Sequence, residues 1–324
     1  MRKIVCLAIL ALLTASGGVQ GEDGGAGGPA AFLKLNLSAR VLGMGGAYTA
    51  VSDDAVALFY NPAGSPQPDM NLISASYRVM DLDRRLGYIA ANFMAREGAA
   101  LAVGWIYAGD GDILGRDNEG YLTGEEFGVH NNTIALSFSR RFGDFLLLGA
   151  TGKYFICKAA NITSSTVGFD VGAMVVFDKL NYFSESSFFD VVRIGLAAEN
   201  LGAVHRWSTG DYWGQAGGTG VSQDEKFAVG AKGGVSALVM DSTVLVSVEL
   251  EKYEYENMRF FGGAEYLLYK TLALRGGYAD GRLTLGTGVV KRFVYYNLRF
   301  DYAFATAKHG EGSDHLFTMG FDFR

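Results

Sequence analysis

The chain has 324 residues, 45 of them glycine, with 49% hydrophobic and only 19% charged residues and a mean hydropathy of +0.14. That charge content lies below the roughly 25% of soluble domains, and the formal charge of −6, with no basic tract, argues against nucleic acid as a partner. Beyond the N-terminus no apolar run approaches the roughly 20 residues of a membrane-spanning helix, so neither an ordinary soluble domain nor a helical membrane protein is expected.

The first element is an export signal. Met1-Arg2-Lys3 is a short basic start and Ile4 to Leu13 is an apolar run of signal-peptide length. "TASGGVQG" follows, with Val19 and Gly21 as small-residue positions before a cut, so residues 1–21 are expected to be removed. No cysteine stands at that cut, which argues against a lipid anchor. Cys6 leaves with the signal and Cys157 remains alone, so no internal disulfide is expected. An exported chain without disulfides suits a large fold that needs no stapling.

Residues 22–69 form the second element. Its centre, "ARVLGMGGAYTAVSDDAVALFYNPAG" from Ala39 to Gly64, carries only three charges, Arg40, Asp53 and Asp54. It is too broken by glycine for a long helix and too short to fold alone. All four prolines, Pro29, Pro62, Pro66 and Pro68, precede Asp69. Proline lacks the N–H that a ladder needs, so the proline-free remainder, rich in Val, Phe, Tyr and Gly, reads as continuous sheet.

Residues 70–324 alternate with a period of two. "STVGFDVGAMVVF" sets Val167, Phe169, Val171, Ala173, Val175 and Phe177 on one face against Gly168, Asp170, Gly172 and Met174. "STVLVSVELEK" and "YYNLRFDYAF" behave alike. One greasy and one mixed face per strand suits a soluble sandwich or, turned inside out, an outer-membrane barrel. The export signal, the missing prolines, the strand lengths and the 13% aromatic content favour the barrel. We count fourteen strands from Asn71–Val79 to His315–Phe323, including Ala99–Tyr107 and Asn131–Arg141, an even number as single-chain bacterial barrels require. The long polar loops Ala108–His130, Gly202–Glu225 and Ala305–Asp314 all follow odd-numbered strands and so emerge on one side, the expected outer one. The other side has mostly short turns, Asp178–Asp190 excepted. Both termini then lie in the periplasm.

A barrel of this size has a bore too wide for wall side chains to fill, and the N-terminal segment is expected to fill it as a plug. Gly43, Gly45 and Gly46, flanking Met44 and followed by Tyr48, let the backbone pass close to the wall. Ser52 or Asp53, next to Asp54, is expected to cap a short helix that Asn61-Pro62 ends. Val51, Val56, Leu58 and Phe59 pack outward against the wall.

These residues carry a family resemblance. "ARVLGMGGAYTAVSDDAVALFYNPAG" resembles the N-terminal hatch of the FadL-like long-chain fatty-acid transporters and their PorV/PorQ relatives. Weaker matches are "GLAAENLG" at Gly195–Gly202, "GGAEYLLYKTLALRGGY" at Gly262–Tyr278 and "DYAF" at Asp301–Phe304. The end, "HLFTMGFDFR", resembles a strand read by the barrel-assembly machinery, although it closes on Arg324 rather than on an aromatic residue. The resemblance implies an all-β, fourteen-stranded transmembrane barrel of a Gram-negative-type outer membrane, surrounded by its lipid and plugged from the N-terminus. The chain is shorter than typical fatty-acid transporters and nearer the PorV-like branch.

By alternation Asp170, Arg193, Glu199, Lys232, Glu249, Glu265, Arg275, Arg299 and Asp301 face the lumen, with Arg78. They read as ion pairs that anchor the plug, or as a polar lining or gate for a ligand. No basic stripe suggests an anion pore. "GMGGAY" is not a dinucleotide fingerprint, since Tyr48 holds the last position. "DGDILGRDNEG" places Leu114 and Tyr121 where a calcium loop needs ligands and reads as solvated loop. His130, His205, His309 and His315 accompany no nucleophile motif, so neither catalysis, a metal nor a cofactor is expected. Two functions remain: transport of a hydrophobic small molecule of the fatty-acid or hydrocarbon class, or binding of secreted proteins at the cell surface. A purely structural surface barrel is the third possibility. Trp207, Tyr212 and Trp213 in the Gly202–Glu225 loop suit a greasy mouth or a grip on a partner.

Overall fold

A computed structural model describes residues 31–80, 84–96, 98–117, 119–160, 162–178, 188–208, 210, 220–306 and 312–324. The signal-peptide residues 1–21, Tyr212 and Trp213 lie outside the described residues. Sixteen strands are present among them: β1 (Asn71–Val79), β2 (Arg84–Arg96), β3 (Ala99–Arg116), β4 (Leu122–Phe142), β5 (Leu146–Ala159), β6 (Ile162–Asp178), β7 (Phe189–Leu201), β8 (Val204–Ser208), β9 (Ser222–Lys226), β10 (Gly230–Val239), β11 (Val244–Tyr253), β12 (Arg259–Leu268), β13 (Leu272–Ala279), β14 (Arg282–Arg292), β15 (Tyr296–Ala305) and β16 (Asp314–Phe323). Fourteen of them close one antiparallel barrel, β16 pairing back onto β1 through Asn71↔Phe323 to Tyr77↔Phe317. The fourteen-stranded expectation holds. The other two, β8 and β9, form a separate hairpin inside the stretch read as a loop.

Burial in the wall is inverted relative to a soluble protein. Along β4, Ile134, Leu136 and Phe138 point outward, Leu136 with 64% of its surface exposed, while Thr133, Ala135, Ser137 and Ser139 are buried. Along β6, Phe169 is 56% exposed and its neighbour Asp170 only 1%. A continuous outer face of large apolar side chains would be intolerable in water, and it is what a lipid-facing barrel surface requires. No helix among the described residues is long and apolar enough to cross a membrane.

The reading of the stretch after strand three is corrected. Ala108–His130 is not a loop: β3 and β4 continue as a ladder through Ala108↔Asn131, Asp110↔Val129 and Ile113↔Phe127 to Arg116↔Leu122. The turn at its tip is closed by Asp117, whose Oδ1 accepts from the backbone N–H groups of Glu119 and Tyr121, both at 2.9 Å. Charges in this stretch disguised the alternation, because both faces of a ladder standing clear of the bilayer meet solvent. The wall is therefore uneven, with 18 residues in β3 and 21 in β4 against 8 in β13.

Residues 31–70 lie inside the barrel. They form a 3-10 turn (Ala31–Lys34), a short helix α1 (Ala39–Gly43) and two further 3-10 turns (Ala55–Phe59 and Pro62–Gly64). Helix α1 packs on β13 to β16, the Ala55–Phe59 turn on β1 to β4, and the Pro62–Gly64 turn on β4 to β6. Thr49 and Ala50 rest on Gly195 of β7, and Ala50 accepts a hydrogen bond from Ser236 of β10. Tyr48 binds Glu249 of β11 and Arg40 binds Glu265 of β12. A segment that touches all fourteen strands of a closed barrel can only occupy its bore. Asp54, not Ser52 or Asp53, caps the Ala55–Phe59 turn, its carboxylate accepting from Val56 N–H at 3.0 Å. Asn61 caps the next turn in the same way through Ala63 N–H, with Pro62 at the first position.

Candidate functional site

The site is the lumen: the N-terminal segment, the charged wall that holds it, and the space above it. Helix α1 starts at Ser38, whose hydroxyl accepts from Val41 N–H, and its last turn passes into Met44-Gly45-Gly46. Gly45 takes φ +66°, and a Cβ there would stand 2.4 Å from the Gly262 carbonyl oxygen of β12. The wall is cut back to match, since a Cβ on Gly263 would stand 2.2 Å from Met44 O and one on Gly277 2.3 Å from Gly45 N. Backbone therefore meets backbone, a contact only glycine on both sides permits. Val51, Val56, Leu58 and Phe59 are all buried, Leu58 and Phe59 against Gly104 of β3.

Wall charges grip this segment at its polar groups. Glu265 takes Arg40 in a two-pronged pair, both bonds 3.0 Å, and also Arg275 at 2.6 Å; Arg275 continues to Asp301 at 2.6 Å. Arg40 also bonds Asp53, and the Tyr48 hydroxyl lies 3.3 Å from the same Asp53 oxygen. Burial works against the Asp53 carboxylate, yet the Arg40 guanidinium overrides it and holds Asp53 below the usual carboxylate range. Glu249 accepts from the backbone N–H groups of Tyr48 and Thr49 at 2.8 and 2.7 Å. Asn61 donates to Thr49 O at 2.8 Å and to Ala173 O of β6 at 3.3 Å.

The remaining wall charges pair with one another. Asp170 takes Lys153 at 2.6 Å, Glu199 takes Lys232 at 2.8 Å and the Tyr253 hydroxyl at 2.7 Å, and Arg299 reaches Asp322 at 3.0 Å. Arg78 pairs with Asp314, which Arg282 also holds. Of the ten charges read from alternation, nine thus have a counter-charge or a backbone donor. Arg193 is held less closely: its Nε and Nη1 are sealed from solvent without an acceptor, and it lies in the field of Asp53, Arg40 and Arg141 without an ion pair among the described residues. Lys153, Asp314 and Asp322 were missed although they share the inward parity of their strands.

Above the segment lies a cavity of about 550 Å³. Its floor is Ala31, Phe32 and Leu35, its walls are Met80, Arg84, Asp110, Asn131 and Cys157, and one side is the β8–β9 hairpin through His205, Trp207 and Glu225. That hairpin folds back into the mouth. Ala203 sits on Gly168 of β6, the His205 ring bonds Ser164 at 2.9 Å and packs on Phe227, and Trp207 Nε1 donates to Glu225 at 2.9 Å. Trp207 thus lines the cavity. Burial holds the His205 imidazole below its ordinary value, with Glu225 opposing. A lowered histidine value means the neutral ring stabilises the packed hairpin, fully above about pH 6.5, and this contribution is lost as pH falls. Acidification from neutral pH should therefore loosen the hairpin, read as a change in tryptophan fluorescence that His205→Gln abolishes.

No protein-family model matches the sequence, and no curated protein does. Solved structures are similar. The monoaromatic hydrocarbon channel CymD matches with a TM-score of 0.62 at 12% identity, over 89% of this chain and 97% of that one. The toluene transporter TbuX of Ralstonia pickettii matches with a TM-score of 0.61 at 14% identity, over 89% and 98%. A TodX monoaromatic hydrocarbon channel, as its deltaS2S3 mutant, matches at 0.57 and 11%, again over 89% and 98%. At these identities the likeness is one of fold: the closed fourteen-stranded barrel of this chain resembles the fold of these hydrocarbon channels.

Proposed function

We propose that this barrel stands in an outer membrane and admits a hydrophobic small molecule, of the hydrocarbon or fatty-acid class, past an N-terminal plug. The observation that carries this reading is the cavity of about 550 Å³ at the long-hairpin mouth, floored by a buried segment in a barrel of hydrocarbon-channel fold. Residues 1–21 act as the export signal, 22–69 as the plug and 70–324 as the barrel, inserted by the barrel-assembly machinery through β16. The wall charges hold the plug rather than conduct ions. We assign the protein no catalytic role. The cavity has an aromatic and aliphatic part in Phe32, Leu35, Met80 and Trp207, which suits an apolar ligand. Liposomes carrying the full-length mature protein should take up labelled toluene or a long-chain fatty acid faster than liposomes with a cargo-blind barrel. Equal rates would overturn transport.

One observation favours a second reading. The tip of the β3–β4 hairpin exposes Ile113, Leu114, Tyr121 and Leu122 together, a surface that suits capture of a secreted protein. Retention of such a partner by the wild type, lost on Leu114→Ser and Leu122→Ser, combined with no uptake, would favour it.

A further inference from the structure

The ladder registers place a basic row on the outer wall. Arg85 of β2 pairs with Gly109 of β3, Gly109 with His130 of β4, and His130 with Lys158 of β5. Arg85, His130 and Lys158 are all exposed, and their parity points them outward, since Leu86, Ala108 and Cys157 beside them are buried and turn inward. At about 4.8 Å per strand the row spans roughly 14 Å. No carboxylate stands in it, and among the described residues none pairs with Arg85 or Lys158. His130 Nδ1 bonds the Tyr107 hydroxyl at 3.0 Å, and its other ring nitrogen lies over Gly128. Gly109, without a side chain, makes a saddle in the middle that the Tyr107 ring overhangs.

The rows below change character step by step. The next is Gly87, Tyr107, Asn132 and Ile156; the one after is Ile89, Trp105, Ile134 and Tyr154, all four exposed. Trp105 Nε1 donates to Asn132 at 3.0 Å and so ties the two rows together. From the hairpin end downward the face reads basic, then mixed, then apolar. That is the profile of a lipid lying along the wall, its charged head at the interface and its chains on the belt.

We propose that this face of β2 to β5 binds a lipid with a net-anionic phosphate head in the leaflet at the long-hairpin end. Arg85, His130 and Lys158 take the phosphate, and Ile89, Trp105, Ile134 and Tyr154 take the acyl chain. Charge complementarity selects the head, because the row carries two permanent cations and a histidine donor with no counter-charge among the described residues. The apolar rows directly beneath select a lipid over a soluble anion. Arg85 and Gly109 also border the cavity at the mouth, so the row stands at the rim, where the outer wall meets the lumen.

Native mass spectrometry of the detergent-purified full-length mature protein tests it, with phosphatidylglycerol and phosphatidylcholine of the same acyl chains as probes. Wild type should retain phosphatidylglycerol at concentrations on the order of tenfold below those needed for phosphatidylcholine. The Arg85→Gln/Lys158→Gln protein should lose that preference. Arg85→Lys/Lys158→Arg should keep it, which separates loss of charge from loss of fold. Lys270→Gln/Lys291→Gln, at the opposite rim, should leave it unchanged. Equal retention of both lipids by wild type would overturn the site, as would an undiminished preference in the Gln pair. Displacement of the lipid by millimolar inorganic phosphate would also overturn it, by assigning the row to a free anion.

Discussion

Gly45→Ala should expel the N-terminal segment from the bore while leaving the wall intact. The added Cβ would meet the Gly262 carbonyl at 2.4 Å and the Tyr278 backbone N and O at 2.7 Å. None of these atoms can move without breaking the β12–β13 ladder. The residue also sits at φ +66°, where a side chain costs about 1–2 kcal/mol before any clash. Overpacking typically adds about 1–3 kcal/mol, so a loss near ~3 kcal/mol in docking of the segment is expected. Wall and segment are complementary, so Gly277→Ala should do equal damage from the other side, its Cβ falling 2.3 Å from Gly45 N. Gly276, the preceding residue in β13, has open space where its Cβ would go. Gly276→Ala should behave as wild type. The readouts are protease sensitivity of residues 31–70 and permeability of reconstituted liposomes to small sugars. Both should rise in the first two variants while the barrel keeps its heat-modifiable migration in gels. If Gly277→Ala stays sealed and resistant, the backbone-to-backbone docking described above is wrong.

The wall was readable because a barrel writes one rule along its length. The alternation around Asp170, greasy outward and small or charged inward, needs no knowledge of which strand lies beside it. The missing prolines after Asp69 repeat the same message. Where that rule lapses, reading failed. The upper halves of β3 and β4 carry Asp110 and Glu126 in a ladder whose two faces both meet solvent, so no hydrophobic period marks them. Partners in the lumen were hidden for a different reason. Glu249 binds the N–H groups of Tyr48 and Thr49 some 200 residues away, and such a contact follows from closure of the barrel, not from any local pattern. Lys153 could have been found, since it shares the inward parity of Thr151 and Phe155. The cavity could not, because it exists only once the β8–β9 hairpin turns back into the mouth and brings His205, Trp207 and Glu225 over Arg84 and Asn131.

Arg40→Met should be the most damaging single loss of charge in the segment. Arg40 faces three carboxylates at once, Asp53, Glu265 and, at 4.0 Å, Asp54, and Glu265 is shared with Arg275 and through it with Asp301. Removing one partner of a buried pair leaves the other charge uncompensated, which typically costs about 3–5 kcal/mol. The well-packed alternative costs far less, so Arg40→Met combined with Glu265→Gln and Asp53→Asn should recover much of the loss. A double-mutant cycle on Arg40 and Glu265, read by denaturant-induced release of the segment, should return a coupling on the order of 2 kcal/mol. Asp53 adds a pH signature. Its carboxyl is held below the ordinary value, so its contribution is complete above about pH 4 and is lost as pH falls through the lowered folded-state value. Wild type should therefore release the segment on strong acidification, and Asp53→Asn should flatten that part of the profile. Arg193 sharpens the outcome. It is the spare cation beside Asp53, so Arg193→Met removes a buried, unsatisfied guanidinium and should leave docking unchanged or tighten it. Opposite signs for Arg40→Met and Arg193→Met would separate the arginine that holds the segment from the one that merely borders it; a large loss in both would mean that Arg193 takes part in the grip and that the pairing assigned to Asp53 is incomplete.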